Sequence, residues 1–102
     1  MKAFISKRAA RAADRIDDHW RARADDPGIF AREFLEAVER LETTQGVGQA
    51  FPTARRPSLR RVLLPKSRCH IYFEIDDAKQ RIQILQIWDG RPSQRSFSAI
   101  PA

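Results

Sequence analysis

Apolar residues recur along the chain at two different periods, and the change of period divides it. A short apolar start, "KAFI", reads as a strand, and Ser6 after it offers a side-chain oxygen to cap a helix. From Lys7 to about Ala24 the residues Ala9, Ala13, Ile16 and Trp20 follow at steps of three and four, which puts them on one face of an amphipathic helix. The opposite side carries Arg8, Arg11 and Arg15 with Asp14, Asp17 and Asp18 between them, the pattern of a salt-bridged solvent face. "ADDPG" breaks the period. Asp26 is the expected cap of a second helix with Pro27 at its first position, where a missing amide hydrogen is harmless. Phe30, Phe34, Val38 and Leu41 then repeat the helical spacing, with Leu35 and Ala37 widening the stripe, until Gly46 and Gly48 end it. Two helices joined by so few residues predict an antiparallel hairpin.

The stretch Gln45 to Pro57 holds two glycines and two prolines and reads as an irregular loop. Beyond it the period falls to two. "SLRRVLL" stops at Pro65, "RCHIYFEI" follows the turn "PKS", and "QRIQILQIWD" follows the turn "DDAK". Connections this short predict an antiparallel meander. In the middle run Cys69, Ile71, Phe73 and Ile75 share one face, and His70, Tyr72 and Glu74 share the other. In the last run Ile82 and Ile84 oppose Leu85 and Ile87, so both faces are partly apolar, as in an internal strand. The predicted order is β-α-α-β-β-β. That is an α+β fold, with an N-terminal strand and a helical hairpin packed on a small, mainly antiparallel sheet.

A chain of 102 residues is one domain by size, here residues 1–102 with 91–102 as a tail. So short a domain buries only about two-thirds of its unfolded surface, which favours a shallow binding surface over an enclosed site. Cys69 is the single cysteine, so no intramolecular disulfide forms, which suits a reducing compartment. The N-terminal residues lack the apolar stretch of a signal peptide, and no run approaches the ~20 apolar residues of a membrane span. A soluble, cytoplasmic protein that engages no membrane is the expectation.

The formal net charge is +6. No acidic residue stands between Glu42 and Glu74, an interval that holds Arg55, Arg56, Arg60, Arg61, Lys66 and Arg68. The other 13 basic residues are balanced by 13 acidic ones, so the excess sits in one loop and the strands beside it. Such a concentration predicts an acidic partner, either nucleic acid or an acidic protein segment. Trp88, followed by "DGRPSQR", could stack on a base or close the bottom of the core.

Two histidines, His19 and His70, and one cysteine do not form a metal-ligand set, and no glycine-rich phosphate loop is present, so neither metal nor cofactor is expected. Acid–base cleavage of RNA needs a base for the 2′-hydroxyl, a proton donor for the leaving oxygen and cations on the phosphate. His70, Tyr72, Glu74 and Arg91, with Arg60, Arg61 and Arg68 nearby, would supply that inventory. One polar face of an antiparallel strand commonly looks the same.

"SLRRVLLPKSRCHIYFEID" followed by "RIQILQIWDGR" resembles the RelE/ParE superfamily of toxins from bacterial toxin–antitoxin systems. The points of likeness are Arg60 and Arg61 on one strand, "HIYF" on the next and "IWDGR" at the end of the last. "DDPGIFAREFLEAVERLE" is similar to the family's second helix, which usually opens at a proline. The resemblance runs from "AFIS" to about Arg91. It implies a cytoplasmic growth inhibitor held silent, in a hetero-oligomer, by an acidic antitoxin that lies across it. RelE-like members cut mRNA on the ribosome, whereas ParE-like members target DNA gyrase. Here Asp89 stands where a histidine often follows the aromatic, Pro92 replaces an arginine, and the tail offers Phe97 but no Tyr or His. An anionic Asp89 would repel a scissile phosphate. The resemblance therefore implies the gyrase-binding branch first. A ribosome-dependent endoribonuclease using His70, Tyr72, Glu74 and Arg91 is the alternative, and a non-toxic interaction module of the same fold is the third. Partner contacts are expected from Arg55, Arg56, Arg60, Arg61, Arg68, Trp88 and Arg91.

Overall fold

A computed structural model describes residues 1–23 and 25–89. The elements are β1 (Lys2–Ile5), α1 (Lys7–Arg23), α2 (Ile29–Thr43), β2 (Gln49–Ala50), β3 (Arg60–Leu64), β4 (Cys69–Asp76) and β5 (Arg81–Asp89). They form one sheet in the order β1-β5-β4-β3-β2. β1 pairs with β5 in parallel, and every other pairing is antiparallel. α1 packs on β5, and α2 packs on β1 and β3, so both helices cover the same face.

Ser6 joins strand to helix. Its amide donates to the Ile84 carbonyl at 2.9 Å, extending the β1–β5 ladder. Its hydroxyl donates to the Leu85 carbonyl at 2.9 Å and accepts the Ala9 amide at 3.0 Å, as the expected cap of α1. On α1 the ion pair formed is Arg21–Asp17 at 2.7 Å; among the described residues neither Arg11 nor Arg15 joins an acid. Arg11 and Arg15 are therefore solvated cations more than members of a salt-bridged row.

α2 begins later than the sequence suggests. Pro27 and Gly28 form a turn in which the Ile29 amide donates to the Asp26 carbonyl, and Gly28 caps the helix without a side-chain bond. The Asp26 carboxylate pairs instead with Arg32 across the first turn. Leu35, expected in the buried stripe, is 65% exposed, because the stripe Phe30–Ala37–Leu41 turns it outward.

The Gln45–Pro57 segment contains an element that its composition hides. β2 adds two residues to the edge of β3, pairing Gln49 with Arg61 and Ala50 with Arg60. Gly46 and Gly48 steer the chain there with φ of +77° and +82°. A Cβ on Gly48 would lie 2.6 Å from the Arg61 carbonyl oxygen and 3.2 Å from the Phe73 ring. Gly48→Ala should therefore lose about 1–3 kcal/mol of stability, read as a lower urea midpoint at an unchanged slope.

β5 also corrects a simple alternation. Tyr72 pairs with Gln86 and Phe73 with Ile84, so Leu85 is an extra residue, a β-bulge. The bulge shifts the phase by one. Ile82, Ile84 and Ile87 thus all face the helices, while Leu85 turns to the other side. Buried Gln86 accepts the Ile87 amide on its side-chain oxygen at 3.0 Å.

Candidate functional site

The cross-strand register sorts every candidate residue onto one of the two sheet faces. Opposed residues share a face, so Val62–Ile71–Ile87 and Leu64–Cys69 point to the helices. Leu63–His70–Trp88 and Arg61–Tyr72–Gln86 point the other way, followed by Glu74–Gln83–Phe4 and Asp76–Arg81–Lys2. No helix covers this second face among the described residues.

Tyr72 is its centre. It is fully buried beneath Leu59, Phe51, Leu85 and Trp88. Its ring meets Phe51 and Trp88 edge-on, each at 5.8 Å between centroids, and His70 at 6.0 Å. The Phe51–Tyr72–Trp88 row is a second, smaller core on the far side of the sheet, and it places Trp88 as both a core and a surface residue. Burial pushes the Tyr72 phenol above its ordinary value, against a smaller lowering by the neighbouring Arg61 guanidinium.

The arginines of the acid-free interval do not gather in one place. Arg61 reaches onto this face and lies 4.4 Å above the Phe51 ring. Arg56 joins the face by a 2.5 Å ion pair with Glu74. Arg60, one residue before Arg61, points to the helix side and donates to the Gly48 carbonyl at 3.0 Å. Lys66 and Arg68 belong to the β3–β4 turn at the opposite end of β3, where Arg68 adopts a positive φ of 58°. A strand alternates its side chains and has two ends, so a cluster in sequence becomes several cations in space. Arg55 is exposed in the loop before β3. Arg91 and the tail lie outside the described residues.

Of the residues expected to act on RNA, the register brings His70, Tyr72 and Glu74 to one face. Their states differ. Tyr72 is buried, Glu74 is held by Arg56, and His70 is half-buried beside Trp88. Cys69, on the other face, is fully buried and its thiol is pushed up to about 11, chiefly by that burial, so it is protonated and inert at neutral pH. Among the described residues no group of His, Cys, Asp and Glu could hold a metal. A cavity of about 500 Å³ between the C-terminus of α2 and the β4–β5 turn is lined by none of Cys69, His70, Tyr72 and Glu74.

Two features escaped the sequence reading. One is Phe51, which lies in the segment whose composition reads as an irregular loop. The other is a cluster at the β1–β5 corner, where Arg81 and Lys2 stand over Phe4 at 4.8 and 5.9 Å. The signal for the second was present: Lys2 and Phe4 alternate on β1, but only a parallel β1–β5 pairing brings Arg81 to them.

These elements define an α+β fold with a five-stranded mixed sheet, one face under a helical hairpin and the other carrying aromatic and basic residues. Comparison with family models finds no match, and comparison with curated proteins finds none. Among solved structures the chain is similar to one titled "Chromosomal ParDE TA system from P. aeruginosa", at 24% identity and a TM-score of 0.70, over 89% of this chain and 97% of that one. The chain thus has the ParE-like fold that its sequence suggests. No helix among the described residues is long and apolar enough to cross a membrane.

Proposed function

We propose that this chain is the toxin of a toxin–antitoxin pair, a growth inhibitor that is silenced by an acidic antitoxin and acts by binding DNA gyrase. The fold shared with the ParDE structure supports the general reading. Binding in preference to chemistry is supported by one observation: two polar groups of β4, Tyr72 and Glu74, are already committed. A buried, protonated Tyr72 is a poor base, and the Glu74 carboxylate is occupied by its ion pair with Arg56 at 2.5 Å. The same face carries Arg61 over Phe51 beside Trp88, the arginine and aromatic residue types typical of an interface.

The test is supercoiling by purified gyrase. Micromolar protein should inhibit it, and Arg61→Glu should weaken that inhibition by about tenfold or more, as loss of a central interface arginine does. No inhibition at that concentration would overturn the gyrase reading. The endoribonuclease reading draws on His70, half-buried on the same face 6.0 Å from Tyr72. It predicts new cuts within codons of mRNA from induced cells, lost on His70→Ala. Unhindered growth after strong induction would instead support an interaction module without toxicity.

A further inference from the structure

We propose that the cavity at the C-terminal end of α2 is a binding site for a small organic cation, a molecule with an ammonium group on an apolar body. The site goes beyond the toxin reading and does not rest on it.

The cavity holds about 500 Å³, a volume within the range of small-molecule pockets. Residues 41–47 wall it on one side, and β4, the β4–β5 turn and the start of β5 wall it on the other. The backbone leaves the end of α2 without folding back over it. Thr44 is extended, at φ −125° and ψ 124°, and Gly46 then turns the chain with a φ of +77°. The floor is apolar: Leu41, Phe73 and Ile82 are buried members of the main core, and half-buried Val47 packs against them. Core residues hold that floor in place before a ligand arrives.

The rim sets the sign of the ligand. The chain carries a net charge of +6, yet this lining holds two carboxylates, Glu42 and Asp77, and no lysine or arginine side chain. Glu42 accepts the Ala3 amide on Oε2 at 2.7 Å, while its Oε1 has no partner among the described residues. The Asp77 carboxylate has none among them either, because Gln80 bonds to the Asp77 carbonyl through both its amide and its side chain. α2 ends at the same place, and the carbonyls of its last turn add the negative end of the helix dipole. A cation already answers this field: the Met1 ammonium donates to the Glu42 carbonyl at 3.2 Å. It is one positive charge against two carboxylates and a helix end. Arg60 borders a neighbouring hollow with Asp77, but it donates to the Gly48 carbonyl and forms no ion pair with that carboxylate.

Floor and rim divide the work. Covering the apolar floor supplies most of the affinity, and the part-exposed carboxylates select the charge. A lysine side chain of another protein has the same charge on a slender stem and would leave most of the volume empty. The breadth of the floor therefore favours a free molecule with a ring or a branched body.

The experiment titrates the full chain at low salt with phenethylammonium and follows backbone amide shifts by NMR. Shifts should concentrate in residues 43–47 and 77–80. The neutral isostere 2-phenylethanol should bind about threefold more weakly, as loss of exposed charge contacts implies, and anionic 3-phenylpropionate more weakly still. Ethylammonium lacks the ring and should bind about tenfold or more weakly than phenethylammonium. Asp77→Asn, at an exposed position, and Glu42→Gln, which keeps an acceptor for the Ala3 amide, should each cut the preference for ammonium over alcohol about twofold. If Glu42→Gln disturbs α2, Asp77→Asn decides alone. Equal binding of ammonium and alcohol, shifts centred elsewhere, or a preference that survives both variants would overturn the inference. So would tighter binding of Nα-acetyl-lysine N-methylamide than of phenethylammonium, which would mark a protein side chain as the occupant. Gyrase takes no part in the readout, so failure of either test leaves the other standing.

Discussion

Tyr72→Ala should destabilise the protein by about 3–5 kcal/mol, whereas Tyr72→Phe should cost no more than about 1.5 kcal/mol and leave any toxicity intact. The argument starts from placement. A tyrosine on the outer face of a small sheet ought to be partly wet, yet Tyr72 is fully buried because the Phe51–Leu59 segment folds over it and Trp88 closes the side. Truncation to alanine removes the body around which that cluster is built, and the ring edges of Phe51 and Trp88 lose their partner. The hydroxyl contributes much less. Its raised pKa also has a sign that can be tested. A phenol harder to ionise in the folded than in the unfolded chain contributes stability that is intact below the unfolded value of about 10 and is lost as pH rises past it. Tyr72→Phe should therefore flatten the alkaline fall in stability, as read from urea midpoints between pH 8 and 11. A ribonuclease that used this phenol would lose its cuts in the same variant, so the Phe substitution separates a structural tyrosine from a catalytic one. Loss of growth arrest in a folded Tyr72→Phe protein would overturn the binding reading.

Legibility from sequence followed the range of the interactions. The cap at Ser6, the stripe of α1 and the β3–β4–β5 meander are local: each is written in residues within one or two turns of one another. The face shared by His70, Tyr72 and Glu74 was equally plain, because alternation needs only one strand. What failed needed knowledge of a partner strand. The bulge at Leu85 moves Ile87 to the helix side, and nothing within "RIQILQIWD" reports it; only the Tyr72–Gln86 and Phe73–Ile84 pairs do. Likewise Arg60 and Arg61 look like one basic unit in the chain and face opposite ways in the sheet. β2 is two residues long and exists because two glycines with positive φ bring Gln49 and Ala50 beside β3. Charge counted along a sequence is thus a poor map of a sheet protein's field, and a single register decides which cations can act together.

The largest loss of stability from a single charged residue should come from Glu33. It lies on α2, and although charged it is buried. One carboxylate oxygen accepts the Ser67 amide at 2.9 Å and the Ser67 hydroxyl at 2.7 Å, and the other accepts the Lys66 amide at 2.7 Å. Glu33 thereby ties α2 to the β3–β4 turn and supplies acceptors to backbone donors that the tight turn cannot pair with its own carbonyls. Removing it leaves three donors facing a cavity. Each buried orphan costs about 1–3 kcal/mol, moderated where water can enter, so Glu33→Ala should lose about 3–5 kcal/mol in chemical denaturation. Glu33→Gln keeps one acceptor oxygen and presents an NH2 group to donors, so it should recover only part of that loss. Ser67→Ala removes the hydroxyl alone and should cost about 1 kcal/mol. In a Glu33→Ala/Ser67→Ala double mutant the two losses should fall short of additive, because the second change removes a donor that the first has already orphaned. The same anchor bears on function. The β3–β4 turn sets where β4 begins, and β4 carries His70 and Tyr72 onto the helix-free face. Loosening the turn should therefore weaken partner binding through residues that Glu33 never touches. Additive losses in the cycle, or full stability in Glu33→Ala, would show that the carboxylate does not hold the turn.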